Sequence, residues 1–193
     1  MNHRLIYVIG PSGAGKDSLM RWLRERSAGQ PAFKWARRTV TRLAHDSSSD
    51  DISVDVEGFE KTELAGGFAL QWQANGLRYG IRHEELVPLL TRRHWVFING
   101  SRSYLQTCAL RFPGMTVLHI TADEEVLRQR LMQRGRETPN MVEARIHRES
   151  TVTVPAQSIL IQVVNNRSID EAGREMLQQL GCLPGWPNLR TLE

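Results

Sequence analysis

Leu5-Ile6-Tyr7-Val8-Ile9, followed by Gly10-Pro11-Ser12-Gly13-Ala14-Gly15-Lys16-Asp17-Ser18 and then by Leu19, Met20 and Leu23, is the stretch that decides the fold. The apolar run reads as a buried strand, and the apolar positions after the glycines recur with a helical period. Strand, glycine-rich turn and helix in this order form the setting of a phosphate-binding loop, or P-loop. Its glycines let the backbone curl until successive amides and the helix N-terminus face phosphate oxygens, and Lys16 adds a point charge. We therefore expect Gly10, Pro11, Ser12, Gly13, Ala14, Gly15, Lys16, Asp17 and Ser18 to bind a nucleoside triphosphate. The strict motif has Ser or Thr after the lysine to hold magnesium, whereas this chain has Asp17. Either the Asp17 carboxylate takes the metal, directly or through water, or Ser18 offers a hydroxyl one residue later.

Outward from this stretch, Phe33 to Val40 reads as a second strand, His45 to Asp51 as an exposed polar loop and Glu57 to Leu64 as a short helix. Phe68 to Trp72 alternates apolar and polar residues ahead of the turn pair Asn75-Gly76, as a half-buried strand does. Three later apolar runs, Trp95 to Ile98, Met115 to Ile120 and Ile159 to Val164, are separated by helical stretches at Arg102 to Arg111, Asp123 to Arg134 and Asn140 to Ser150. A last helix spans Ile169 to Leu180, and an irregular tail begins at Gly181. Apolar strands alternating with helices predict an α/β fold, a parallel sheet covered by helices on both faces.

The 193 residues suit one domain, and 40% hydrophobic with 24% charged residues is ordinary globular composition. No apolar run reaches the ~18 residues of a membrane span, and the residues before the glycine loop are too few for a secretory leader. A cytoplasmic protein is expected. Cys108 and Cys182 lie far apart, without the spacing of a zinc site or a disulfide framework. The net charge is +4, and of 25 basic residues only Lys16, Lys34 and Lys61 are lysine. Arginine grips phosphate and carboxylate oxygens with a planar fork. A codon bias accounts for the same composition, so placement has to decide.

Placement singles out three further groups. In Arg37-Arg38-Thr39-Val40-Thr41-Arg42, a strand would put Arg38 and Arg42 on one face, two forks able to converge on one phosphate. In Gln71-Trp72-Gln73-Ala74-Asn75-Gly76-Leu77-Arg78-Tyr79-Gly80, a hairpin can present the Tyr79 hydroxyl. Around the loop Gly135 to Pro139 stand Arg128, Arg130, Arg134, Arg136, Arg145 and Arg148. Closure of that loop would bring Arg134 and Arg145 onto a transferring phosphoryl group. Arg128 and Arg130 are expected to face solvent or pair with Glu124 and Glu125.

Taken in order, Gly-Pro-Ser-Gly-x-Gly-Lys, Thr39-Val40-Thr41-Arg42, Trp72 before Gly76-x-x-Tyr79-Gly80, an Arg134-Gly135 lid and Val164-Asn165-Asn166 after the last strand resemble the guanylate kinase-like branch of the P-loop kinases. The resemblance covers about residues 4 to 180. It implies a P-loop kinase fold with a five-stranded parallel core sheet, an acceptor-binding insertion around residues 34–82 and an arginine lid around residues 132–148. The departures matter as much. Guanylate kinases carry a second acceptor arginine where this chain has His45, and they read guanine with acids where it has Gln71 and Phe97-Ile98-Asn99-Gly100-Ser101-Arg102. Without an acid the guanine donors would stay unpaired, so GMP is a poor acceptor here.

The variant Gly-Pro-Ser-Gly-Ala-Gly-Lys-Asp-Ser, with Trp-x-Ala-Asn-Gly-x-x-Tyr-Gly and Asn-Gly-Ser-Arg, looks like the ribose 1,5-bisphosphate phosphokinases, which share the guanylate kinase-like fold. That likeness implies transfer of the ATP γ-phosphoryl to ribose 1,5-bisphosphate, with ATP and Mg²⁺ as cofactors and a small phosphorylated sugar as partner. It implies Lys16, Arg134 and Arg145 as catalytic residues, and Arg38, Arg42 and Tyr79 holding an acceptor phosphate. Asn99, Ser101 and Arg102 would line the acceptor pocket, with Asp17 or Ser18 at the metal. A phosphate acceptor is already ionised near neutral pH, so no general base is needed. The alternatives are a nucleoside monophosphate kinase and a non-catalytic guanylate kinase-like binding module. Nucleic acid and membrane partners are not expected, and monomer and homodimer both stay open.

Overall fold

The computed structural model describes residues 2–42, 51–133, 135, 139–147 and 152–187, with the backbone alone at 139, 144, 145 and 147. The first strand, β1 (Leu5–Ile9), is buried along its whole length at the centre of a five-stranded sheet. Its neighbours are β7 (Trp95–Asn99) and β8 (Thr116–Thr121), flanked by β2 (Phe33–Trp35) and β9 (Ile159–Val164) in the order β2-β7-β1-β8-β9. All four pairings are parallel. This is the parallel sheet expected from the alternation of apolar runs and helices, with the five strands that the resemblance implies.

Side chains alternate across each strand and so divide two cores. Ile6, Val8, Phe97, Leu118 and Ile120 face one side, packed with Leu19, Trp22 and Leu23 of α1 (Lys16–Arg26) and with Ala172, Met176 and Leu180 of α7 (Ile169–Gly181). The same core takes Leu127 and Leu131 of α5 (Glu124–Gln133) and Val142 and Ile146 of α6 (Pro139–His147). Leu5, Tyr7, Ile9, Ile98 and Val117 face the other side. They pack with Leu86 of α3 (His83–Thr91) and with Leu105, Cys108 and Ala109 of α4 (Leu105–Arg111). Completing this second core are Val40, Leu70, Trp72, Tyr79 and Ile81 from a smaller sheet.

That smaller sheet has the order β4-β3-β6-β5, formed by β4 (Asp51–Ser53), β3 (Arg38–Val40), β6 (Leu77–Arg82) and β5 (Phe68–Ala74), with α2 (Val56–Leu64) between β4 and β5 in the chain. The single strand expected over Phe33 to Val40 is therefore two. The Ala36 amide still donates to the Phe97 carbonyl, but Arg37 turns out to the Glu85 carboxylate and the chain passes from the large sheet to the small one. Helix α3 carried no clear helical signal because Pro88 lies inside it; the proline is exposed, so the carbonyl it deprives of a donor can meet water. Cys108 is buried and Cys182 exposed, and both are free thiols. No helix among the described residues is long and apolar enough to cross a membrane.

Candidate active site

The P-loop runs from the end of β1 into α1. Gly10 and Gly15 take φ of 150° and 86°, and a Cβ at either would strike the Ile120 carbonyl oxygen or the Asn165 amide, so the backbone passes too close for any larger residue. Gly15 sits at the N-cap with no side-chain cap, which leaves the first amides of α1 facing outward for an anion. The Lys16 ammonium donates to the Gly10 and Pro11 carbonyls at 2.8 and 3.0 Å. From the far end of β9, the fully buried Asn165 donates its amide to the Ala14 carbonyl at 2.8 Å and ties the loop to the sheet.

Asp17 and Asn99 meet. The Asn99 amide donates to Asp17 Oδ1 at 2.7 Å, leaving Oδ2 without a partner among the described residues, and both side chains stand at the C-terminal end of the parallel sheet, where α/β folds bind ligands. Asp17 and Ser18 are both exposed. No group of three or more His, Cys, Asp or Glu side chains able to cage a metal occurs among the described residues. A single carboxylate at the phosphate loop is nevertheless what magnesium uses when a substrate's phosphates and water complete its octahedron.

On the small sheet the expected convergence of two arginines on one phosphate takes a different form. Arg38 places both arms of its fork on Asp51, at 2.8 and 3.0 Å, and its guanidinium lies over the Tyr79 ring at 5.5 Å. Arg42 lies beyond the end of β3 and donates to the Tyr79 hydroxyl at 3.3 Å. Both arginines therefore bracket Tyr79, one at its face and one at its hydroxyl. Tyr79 stacks on Trp72 at 5.6 Å, and Trp72 stacks on Tyr104 at 5.8 Å, just after Arg102 in the turn Arg102–Tyr104. Gln71 donates to Glu63 at 2.8 Å. The Ser101 hydroxyl pairs with that of Ser103, and its backbone amide donates to the Tyr7 hydroxyl.

Arg134 lies outside the described residues, as do His45, Arg136 and Arg148; Arg145 is on α6 by its backbone. Arg128 pairs with Glu125, as expected, and also with Glu143 of α6. Arg130, expected to face solvent or pair with Glu124 and Glu125, reaches the P-loop and donates to the Gly13 carbonyl at 3.4 Å. The sequence reading also passed over His119, whose imidazole is held below its ordinary pKa by burial first and then by the Arg102 and Lys16 cations. Its signal in the sequence was a histidine late in the mostly apolar run from Met115 to Ile120.

The chain is 38% identical over 177 residues to the protein of Thiobacillus denitrificans named ribose 1,5-bisphosphate phosphokinase PhnN, covering 92% of each. Proteins of the same name from Pseudomonas paraeruginosa and Rhizobium etli are 39% and 40% identical, covering 94% and 93% of this chain and 97% and 90% of the relative. The chain belongs to the ribose 1,5-bisphosphate phosphokinase family. No family model matches it. Among solved structures, guanylate kinase from Anaplasma phagocytophilum superposes with a TM-score of 0.56 at 15% identity, covering 92% of this chain and 83% of that one. A sugar kinase from Janibacter sp. HTCC2649 gives 0.51 at 14% identity, covering 94% and 96%. These likenesses establish the guanylate kinase-like fold.

Proposed function

We propose that this chain transfers the γ-phosphoryl group of ATP to a phosphate oxygen of ribose 1,5-bisphosphate, yielding 5-phosphoribosyl 1-diphosphate and ADP. The observation that carries the reading is the likeness, over nearly the whole of both chains, to proteins named for that activity. The site agrees with it. Positions at which a guanine reader needs acids hold Gln71, tied to Glu63, and Asn99, tied to Asp17.

In this reading Lys16 exchanges the Gly10 and Pro11 carbonyls for the β- and γ-phosphates, and the amides from Ser12 to Lys16 cradle them. Arg42 and Tyr79 hold an acceptor phosphate, joined by Arg38 if its fork leaves Asp51, and Ser101 and Arg102 line the pocket with Asn99. Arg134 and Arg145 are assigned to the charge of the transferring group. Residues 34–82 then form the acceptor-binding region, residues 132–148 the lid and residues 181–193 a tail. Asp17 would hold magnesium, with Ser18 the alternative, and the metal would neutralise phosphate charge. Asn99 would keep the Asp17 carboxylate in one orientation. No side chain is needed as a base, because the acceptor oxygen is already ionised. An ATP-dependent enzyme of this kind belongs in the cytoplasm.

The test is product identification by ³¹P NMR with ATP and either ribose 1,5-bisphosphate or GMP. A new pyrophosphate signal with the sugar, and much slower use of GMP, is expected. Preference for GMP would make the protein a guanylate-type kinase, and absence of both turnover and ATP binding would make it a binding module.

A further inference from the structure

His119 pairs in register with Ile9, the residue that precedes the P-loop. On its own strand Leu118 and Ile120 face the core under α1 and α7, while Val117 faces the core shared with the small sheet. Alternation puts His119 on the side of Val117, which is the side of Tyr79 and Trp72, at the C-terminal end of the strand. There it is half-buried, and its imidazole makes no hydrogen bond among the described residues. The charged groups acting on it are Arg102, from the turn after β7, and Lys16, from the P-loop.

A half-exposed imidazole that makes no hydrogen bond among the described residues, at the open C-terminal end of the sheet, is available to a partner from solution. Two cations beside it make that partner an anion, and imidazole has an N–H to give it in either protonation state. We propose that His119 and Arg102 form a second phosphate subsite for the acceptor, beside Lys16 and apart from Arg42 and Tyr79. The proposal rests on the reading of the acceptor as a sugar bisphosphate. Such a ligand needs two cationic stations, and Arg42 with Tyr79 supplies one. The aromatic stack links the stations: Tyr79, at one end, meets Arg42, and Tyr104, at the other, shares a turn with Arg102.

The test compares His119→Leu, which removes the N–H, with His119→Gln, which keeps a donor, in the full chain. Loss of a hydrogen bond to a charged phosphate should raise KM for ribose 1,5-bisphosphate about tenfold or more in His119→Leu, while KM for ATP stays within about twofold. His119→Gln should recover most of the loss. A rise in both KM values, or no recovery with Gln, would reduce His119 to a packing residue. If the wild-type protein does not turn over the sugar, the functional reading fails but the subsite is still judged by inorganic phosphate. With the P-loop held by a non-hydrolysable ATP analogue, the imidazole proton signals missing from His119→Leu should shift on adding phosphate. Signals that stay in place overturn the subsite.

Discussion

Lys16 is folded back on the carbonyls of its own loop, so its charge is already directed at the concavity where phosphates belong. Both of these bonds lie within the loop, and its removal should spare the fold. Lys16→Ala should cut turnover about 10²-fold or more, equivalent to roughly 3 kcal/mol of transition-state stabilisation, with an unchanged melting temperature. Near-normal steady-state turnover in the folded variant would remove the lysine from the chemistry. Lys16 was legible because a glycine loop between a strand and a helix is a local pattern. His119 was not, because its meaning depends on Arg102 and Lys16, which reach it from other elements.

At the level of elements, Arg38 and Arg42 separate into different kinds of work. The Asp51 side chain is only 1% exposed, and the Arg38 fork joins β3 to β4 through it. Arg38→Ala leaves a buried carboxylate unpaired and should lower stability by about 3 kcal/mol in chemical denaturation. Arg42→Ala removes the donor to the Tyr79 hydroxyl, beyond the end of β3. It should leave ATP analogue binding intact and weaken acceptor binding by roughly 2 to 4 kcal/mol. Isothermal titrations with each ligand decide between these outcomes. Wild-type stability in Arg38→Ala would mean that the Asp51 pair is a resting place for an acceptor arginine. A strand pattern at residues 38 to 42 could not separate the two, since the partner of Arg38 stands at the edge of a polar loop, and only the pairing of β3 with β4 brings it into place.

Over the whole molecule, Trp186 closes the described chain onto its beginning. Its ring lies 4.9 Å from Phe33, 4.7 Å from Trp95 and 6.3 Å from Phe97, against the edge formed by β2 and β7. Trp95 opens β7 and Asn99 ends it, so this cluster sits about 13 Å of strand away from the ligand end of the sheet. Trp186→Ala should therefore cost about 2 to 3 kcal/mol, seen as a lower melting temperature, with turnover at low temperature unchanged. A matching loss of activity would show that the tail reaches the site. The sequence by itself determined the P-loop with its strand and helix, the apolar runs that became the core strands, and the absence of guanine-reading acids at Gln71 and Asn99. Those features are local: a period, a glycine spacing, a residue type at one position. Only the tertiary structure decided the order β2-β7-β1-β8-β9, the break at Ala36 and Arg37, the meeting of Asp17 with Asn99 across 82 residues and the reach of Arg130 to Gly13 across 117. Periodicity specifies which face of an element is buried but not which neighbour buries it. Charged side chains at strand ends and loops leave no periodic trace, and their partners are chosen when the sheet assembles.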